Sequence, residues 1–498
     1  MYHDLGGGQT LGLSRAAPWK RIARVRLPVL VLLAFAIAAP SAAAAAKPYD
    51  FDGDGRQELV AGRPELRIDG KKSAGAILVG TRVPRTLIAA PGGAGEFDRF
   101  GRSLASGDFN DDGFADLAVG SDEWEPARIV DRGGVTVLYG SAAGLRTTGG
   151  VQFFGTPEIV DENGESFEHG TGFGATLAAG DLNRDGAADL VVGAIQETPK
   201  PVSDTGSGAI RLLFGGAPGL TRSGERVLAR PRRDDTAFGF AIALGDVDRD
   251  GHLDIVEGAD GQASSVDFED IAGHLSYCGG AATGPAACRA VSPRQRSNTG
   301  GSGRTREAPA ALSVGDVTGD GFADIVEGVP EDRVHGEDSR SPTGAILIRR
   351  GTSRGPSKRV VRITQAARGV PGQAEERDAF GATVVVGRID RDGFADIVVG
   401  ATGENRGRGR VTVLRGGPDG VRARGARQYD RDTRGMPRTG LELGAALTLL
   451  DHNGDRRLDL TIGSRKRLIT LFGRRRAFAT QHAIGIGPLA GLGSVLGR

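Results

Sequence analysis

Residues Asp108–Gly120 read DFNDDGFADLAVG, and variants of that phrase recur six more times along the chain. The others are Asp50–Gly62 (DFDGDGRQELVAG), Asp181–Gly193 (DLNRDGAADLVVG), Asp246–Gly258 (DVDRDGHLDIVEG), Asp316–Gly328 (DVTGDGFADIVEG), Arg388–Gly400 (RIDRDGFADIVVG) and Asp451–Gly463 (DHNGDRRLDLTIG). Successive starts are 58, 73, 65, 70, 72 and 63 residues apart, and self-similarity at such a period marks a repeat architecture.

Each copy sits among the same neighbours. Upstream lies a short run such as Ser103–Ser106, Thr176–Ala179, Ala241–Leu244 or Thr383–Val386, often introduced by Phe-Gly at Phe100, Phe173, Phe238 or Phe380. The apolar residues before the closing glycine form a second run. A third follows a variable loop, as in Val135–Tyr139, Ala209–Phe214 and Val411–Leu414, and a fourth is seen at Val151–Phe154 and Val360–Ile363. Runs this short, rich in branched aliphatics and bounded by Gly, Pro and Asp, read as strands, and the chain after residue 46 has no useful helical period. Four antiparallel strands repeated seven times predict an all-β, seven-bladed β-propeller. The first repeat lacks its own first strand, while the C-terminal Leu492–Arg498 resembles Phe380–Arg388. The last strand is therefore expected to complete the first blade, removing an exposed sheet edge.

Composition agrees. Hydrophobic residues make up 39% and charged residues 25% of 498, enough apolar surface for a core and against disorder. The 81 glycines have no Gly-X-Y period, which excludes collagen and suits tight turns. A formal charge of +1 offers no footprint for nucleic acid.

Residues 1–46 read as a secretory signal peptide: basic Lys20, Arg21, Arg24 and Arg26, the apolar Val29–Ala39, then Pro40 and Ala42–Ala46. The competing reading is an uncleaved anchor over Leu27–Ala46. These 46 residues carry five basic groups and one acidic group, so the remainder, 47–498, has a net charge of −3. No later segment is apolar enough to span a membrane, and the expected location is secreted or extracellular. Export permits a disulfide between Cys278 and Cys288, a local clip across nine residues.

The repeated phrase has the spacing of a calcium loop. Side-chain oxygens recur at positions 1, 3, 5 and 9, glycine at 6 allows a sharp turn, and the carbonyl at 7 adds a ligand; hard oxygen donors of this kind suit calcium. The closing acid at 9 and the flanking strands distinguish it from an EF-hand. The candidate ligands are Asp50, Asp52, Asp54, Arg56 and Glu58; Asp108, Asn110, Asp112, Phe114 and Asp116; Asp181, Asn183, Asp185, Ala187 and Asp189; and Asp246, Asp248, Asp250, His252 and Asp254. The fifth loop offers Asp316, Thr318, Asp320, Phe322 and Asp324, and the seventh Asp451, Asn453, Asp455 and Asp459, with Arg456 where glycine is expected. Arg56, Phe114, Ala187, His252 and Phe322 would contribute only their carbonyls. The sixth loop begins with Arg388, whose guanidinium is expected to stand in for the ion. His252 and His452 lie within the loops and are expected to be solvated.

Phe-Gly strands, acidic loops and the Val192-Gly193-Ala194 and Val399-Gly400-Ala401 endings together resemble FG-GAP repeats. That family builds the seven-bladed head of integrin α subunits and many secreted bacterial proteins. The resemblance covers about Tyr49–Arg498 and implies calcium at the matching loop positions. Two departures are Ala308-Pro309-Ala310 in place of Phe-Gly in the fifth repeat and the absence of an inserted ligand-binding domain, so an integrin-like heterodimer is not implied.

The opposite rim should carry the irregular insertions Ser121–Arg132, Thr156–Thr171, Gln196–Ser207, Asp260–Ala272, Glu331–Ser341 and Gln373–Asp378, the usual place for binding on a rigid scaffold. Trp124 lies in the first and could contact a ligand or pack between blades. No histidine pair or HExxH is present, and Gly351–Gly355, although it matches G-x-S-x-G, aligns with turns in other repeats. The expectation is a binding or adhesion module for an extracellular protein or polysaccharide. The alternatives are a propeller enzyme on carbohydrate, a lyase or hydrolase using rim acids such as Glu375 and Glu376, and a purely structural envelope protein.

Overall fold

A computed structural model describes residues 46–80, 86–93, 95–123, 132–155, 170–197, 208–231, 237–259, 274–291, 310–332, 342–437, 442–464, 467–475, 477–486 and 495–496. The expected leader, Trp124 and most of the insertions named above lie outside these residues. Seven four-stranded antiparallel sheets form seven blades. Blade 2 is typical: Ser103–Gly107, Asp116–Ser121, Gly134–Leu138 and Val151–Gly155 pair in sequence order. The acidic loop joins its first and second strands. Second strands in the other blades are Leu59–Arg63, Asp189–Ala194, Asp254–Ala259, Asp324–Val329, Asp396–Ala401 and Asp459–Ser464. All seven are buried along their length, which is why they read as continuous apolar runs rather than alternating ones.

The core lies between neighbouring blades. Val60, Ile77 and Val79 of blade 1 pack with Phe100, Leu117 and Leu138 of blade 2, and comparable clusters join each later pair of blades. Leu59, Ala61 and Leu78 of blade 1 pack against Ala446 and Leu468 of blade 7, so the blades form a ring. Val495–Leu496 pair antiparallel with Gly62 and Ala61, taking the place in blade 1 that Ser103–Gly107 takes in blade 2.

The glycines of the repeat exist for these blade contacts. A Cβ on Gly120 would lie 2.1 Å from the Gly174 carbonyl of the next blade, and Gly62, Gly193, Gly328 and Gly400 face Gly101, Gly239, Gly381 and Gly444 in the same way. The second-strand glycine thus packs on the Phe-Gly glycine beside it, too close for any side chain. Phe100, Phe173, Phe238 and Phe380 are fully buried, each contributing roughly 1.5–3 kcal/mol by burial. Leu443-Gly444 fills this place in blade 7, where Leu443 bridges Gly409 as Phe100 bridges Gly75.

Among the described residues the one helical turn, Glu404–Gly407, is left-handed at Asn405 and Arg406 (φ 55° and 63°). No helix there is long and apolar enough to cross a membrane. Cys278 and Cys288 are joined by a disulfide.

Candidate metal centres on one rim

Each acidic loop closes on itself through its own carboxylates. In the second loop, Asp108 Oδ1 accepts the Asp112 N–H at 3.1 Å and Oδ2 accepts the Gly113 N–H at 2.9 Å. Asp112 Oδ1 accepts the Phe114 N–H at 3.0 Å. The third loop repeats this at Asp181, Asp185, Gly186 and Ala187. The fifth does so at Asp316, Asp320, Gly321 and Phe322, and the seventh at Asp451, Asp455, Arg456 and Arg457. In the first and fourth loops, Gly55 and Gly251 donate to Asp50 and Asp246, while Arg56 and His252 donate to Asp54 and Asp250.

Position 6 is left-handed as expected, with φ 87° at Gly113. Position 4 is left-handed as well: Asp111, Arg184, Arg249 and Arg391 have φ of 55–62°, and Gly53, Gly319 and Gly454 of 70–73°. Arg456 takes the left-handed turn at φ 64° without a glycine, at a cost of about 1–2 kcal/mol.

The position-9 acid has a second duty. Asp116 accepts the Phe109 N–H through Oδ2 and the Gly140 N–H through Oδ1, both at 2.8 Å, tying the loop's start to the end of the third strand. Asp189, Asp254, Asp324 and Asp459 make the same two bonds. Glu58, longer by a methylene, accepts the Phe51 N–H at 2.8 Å. These acids are buried. Burial pushes Asp116, Asp459 and Glu58 up to about 7, against the pull of the backbone donors and with neighbouring carboxylates raising them further. Asp189, Asp254 and Asp324 rise to about 6 for the same first cause.

The loops are linked to one another. The Ala115, Ala188, Ala323 and Ala395 N–H groups donate to the carbonyls of Asp50, Asp108, Asp246 and Asp316 in the preceding loop, at 2.7–3.2 Å. At the seam from blade 7 to blade 1, Gln57 does this work: its Oε1 accepts the Asp451 N–H at 2.9 Å, and its carbonyl lies 3.2 Å from His452 Nδ1. His452 is fully buried, which corrects the solvated expectation. It stands at position 2, where the other loops place Phe51, Phe109, Leu182, Val247, Val317 and Ile389, all buried. Its second nitrogen reaches Thr461 Oγ1 at 3.2 Å.

The donor sets of two loops answer directly to a cation. Asp50, Asp52 and Glu58 each bring an oxygen within 4.8 Å of the others, as do Asp246, Asp248 and Asp250. Asp50 Oδ1, Glu58 Oε1 and Asp246 Oδ1 are buried without a hydrogen-bond partner, a costly state for carboxylates that an ion would relieve. The second, third and seventh loops keep the same oxygen order; in the second and third, Asn110 and Asn183 donate to Asp112 and Asp185. In the fifth, Thr318 is buried and its Oγ1 has no partner. The sixth loop does not fit an ion. Arg388 is not in it: its guanidinium is 3.8 Å from Asp316 of the fifth loop and largely exposed. Arg415 enters instead, paired with Asp390 and 3.5 Å from Asp396. This corrects the expectation for Arg388.

On the opposite rim the described residues include a buried acid pair that the sequence did not announce. Asp378 accepts the Glu375 N–H at 2.7 Å, and burial followed by Glu404 pushes it up to about 7. Glu404 is held by Gln365 Nε2 and Arg410 Nη1, each at 2.6 Å. Both acids are at most 2% exposed, so the pair is a blade clasp. Glu375 and Glu376 themselves are exposed. Gly351–Gly355 is a closed turn, with the Gly355 N–H on the Thr352 carbonyl at 2.7 Å.

Residues 100–138, 173–213 and 380–414 match the FG-GAP repeat family. Bovine phosphatidylinositol-glycan-specific phospholipase D (Bos taurus) is 27% identical over 200 residues, 38% of this chain and 22% of the relative. Mouse integrin alpha-IIb (Mus musculus) is 33% identical over 169 residues, 34% of this chain and 15% of the relative. The chain thus spans about a fifth or less of the length of these relatives. A solved Agrocybe aegerita lectin, described as recognising non-reducing terminal N-acetylglucosamine, aligns at TM-score 0.46 and 16% identity over 87% of this chain and 91% of its own. The three matched stretches run through blades 2, 3 and 6 of the ring, and the chain carries FG-GAP repeats on a seven-bladed β-propeller.

Proposed function

We propose that this is an exported, calcium-stabilised propeller that serves as a binding or adhesion module for an extracellular protein or polysaccharide. The observation that carries the reading is the ring of acidic loops on one rim. Carboxylate oxygens buried without a partner lie in the first and fourth loops, and backbone N–H groups bond to the carbonyls of the preceding loop from blade to blade. Calcium would be held by Asp50, Asp52, Asp54 and Glu58 in the first loop and by the matching oxygens of the second, third, fourth and seventh. It would supply positive charge where carboxylates crowd, with no chemistry of its own. For dissociation constants of ~10⁻⁵–10⁻⁴ M and ~1 mM calcium, each site adds roughly 1.4–2.7 kcal/mol. A scaffold fixed in this way leaves the opposite rim to contact a partner.

Charge narrows the partner. Residues 47–341 carry 29 basic and 47 acidic side chains, whereas 342–498 carry 29 and 14. The part of the ring from the third strand of blade 5 through blade 7 is therefore basic, with Lys358, Arg359, Arg422, Arg424 and Arg427 exposed on outer strands or beside them. A partner on that arc would be anionic, and its binding would weaken with salt. The test is an array of extracellular proteins and acidic or neutral glycans, probed with the purified protein in about 2 mM calcium. Saturable binding lost in chelator is the expected result. Turnover of a glycan polymer would replace this reading with a propeller enzyme, and calcium-independent silence on every surface would leave a structural envelope role.

A further inference from the structure

We propose that the sixth loop is a built-in ion pair, with the Arg415 guanidinium permanently occupying the place that a cation would take in the other loops. The contrast with those loops rests on the calcium reading above; the role of Arg415 does not. Position 1, the acid that accepts the position-6 N–H in every other loop and the position-5 N–H in four of them, is Arg388 here and points to the fifth loop. What remains is Asp390 at position 3, Asp392 at position 5, which accepts the Phe394 N–H at 3.1 Å, and the fully buried Asp396 at position 9. Arg415 closes the third strand, one residue before Gly416, whose N–H donates to Asp396 Oδ1 at 3.2 Å. It therefore stands where the other blades place Tyr139, Phe214, Gly279, Arg350 and Phe472, beside the position-9 acid. Its side chain is 15% exposed, and Nη1 lies between Asp390 Oδ2 and Asp396 Oδ2.

The substitution is coherent as chemistry. The loop lacks the position-1 carboxylate that begins the oxygen series in every other loop, and Arg415 puts a positive charge between Asp390 and Asp396, the two acids it reaches. A guanidinium is always charged and planar, and it bridges two carboxylates from a fixed strand. Unlike an ion, it does not dissociate. The sixth loop therefore stays closed whatever the calcium level, and the arc it occupies is the part of this rim that withstands chelation. Arg391 at position 4 is exposed and reaches neither acid, so the sequence neighbours of the loop are not the source of the charge.

The experiment compares melts of the wild-type chain, Arg415→Met and Arg415→Lys, in about 2 mM calcium at pH 7.5 and in chelator at pH 5.5. It is joined by equilibrium dialysis of calcium onto wild type and the Arg388→Asp/Arg415→Met double variant. Removing one partner of a buried pair should lower Tm by about 3–5 °C in a chain of this size, equally in both buffers. Lysine should recover most of the loss, because it restores charge without the fork. The double variant should take up one more calcium per chain than wild type. An Arg415→Met chain that melts with wild type, or that is destabilised only in chelator, overturns the proposal. So does a metal ion found between Asp390 and Asp396 in wild type. If wild type takes up no calcium, the calcium reading of the other loops fails, while the melts of the two Arg415 variants still decide the sixth.

Discussion

If the acidic loops hold calcium as proposed, removing it should reverse the pH dependence of this protein's stability. Asp116 is fully buried and burial pushes it up to about 7, against an ordinary value near 4. Between these values the folded, cation-free chain holds a proton that the unfolded chain has released. Stability contributed in this way is complete below about pH 4 and is lost as pH rises through about 7. Each pH unit crossed costs about 1.4 kcal/mol per group, so Asp116 alone loses roughly 4 kcal/mol over the window. Glu58 and Asp459 also titrate about 7, and Asp189, Asp254 and Asp324 about 6. Even a fraction of their combined cost competes with a net stability of about 5–15 kcal/mol. In calcium the same carboxylates are wanted ionised, and the cost disappears.

The assay is a thermal melt followed by far-ultraviolet circular dichroism, at pH 5.0, 6.0, 7.0 and 7.5, in about 2 mM calcium and in chelator. In chelator, Tm should fall steadily from pH 5 to 7.5, and at the upper end the protein should be close to unfolded at room temperature. In calcium, Tm should hold level or rise. The calcium-induced shift should thus be small at pH 5 and largest at pH 7.5. A chelated Tm that is flat or rises over this range would refute the reasoning, because it would mean the position-9 acids are already ionised in the folded, ion-free loops.

Three further outcomes follow from packing. Gly120→Ala should cost about 3 kcal/mol or more by denaturant titration, since its Cβ would meet the Gly174 carbonyl at 2.1 Å; Gly144→Ala, with φ 87° and open space around it, should cost about 1 kcal/mol. Reducing Cys278–Cys288, which closes a short loop, should lower stability by at most about 3 kcal/mol and leave the β signal intact, as read by melts with and without dithiothreitol. Deleting residues 487–498 removes the strand paired to Gly62 and Ala61 and bares an edge; faster proteolysis near blade 1 is expected, and unchanged digestion would show that closure by that strand does not matter.

The ring was legible because its cause is repeated. Glycines that touch glycines across five blade contacts, such as Gly120 on Gly174 and Gly400 on Gly444, leave the same mark in those repeats. The loop order of Asp108, Asn110, Asp112 and Asp116 survives in plain text for the same reason. Register also contained more than was taken from it. Position 2 is apolar and buried in six loops, and that column alone places His452 in the interior. Leu443-Gly444 could likewise have been aligned with Phe-Gly by its distance from Asp451.

The group that closes the sixth loop was not legible by such columns. Arg388 occupies the ligand position and carries the right charge, so proximity in sequence points to it. Its Cα, however, begins the loop at the exposed rim, and the side chain extends past the blade boundary to Asp316. Arg415 is 19 residues downstream of Asp396 and comes to it only because the third strand runs antiparallel to the second, pairing Leu414 with Ile397. The position-9 acid is tied to the end of that third strand in blades 2 to 7, through Gly140, Gly215, Gly280, Gly351, Gly416 and Gly473. The residue before each of those glycines is therefore the nearest place in the fold from which a side chain can reach the acid from outside the loop. Tyr139, Phe214, Gly279 and Phe472 leave that approach uncharged, Arg350 in the fifth blade is exposed, and Arg415 alone of these is paired with the acids of its own loop. On the proposed calcium reading, what sets a loop's dependence on a cation is thus read from two columns together, position 1 and the end of the third strand, and only the folded blade brings them side by side.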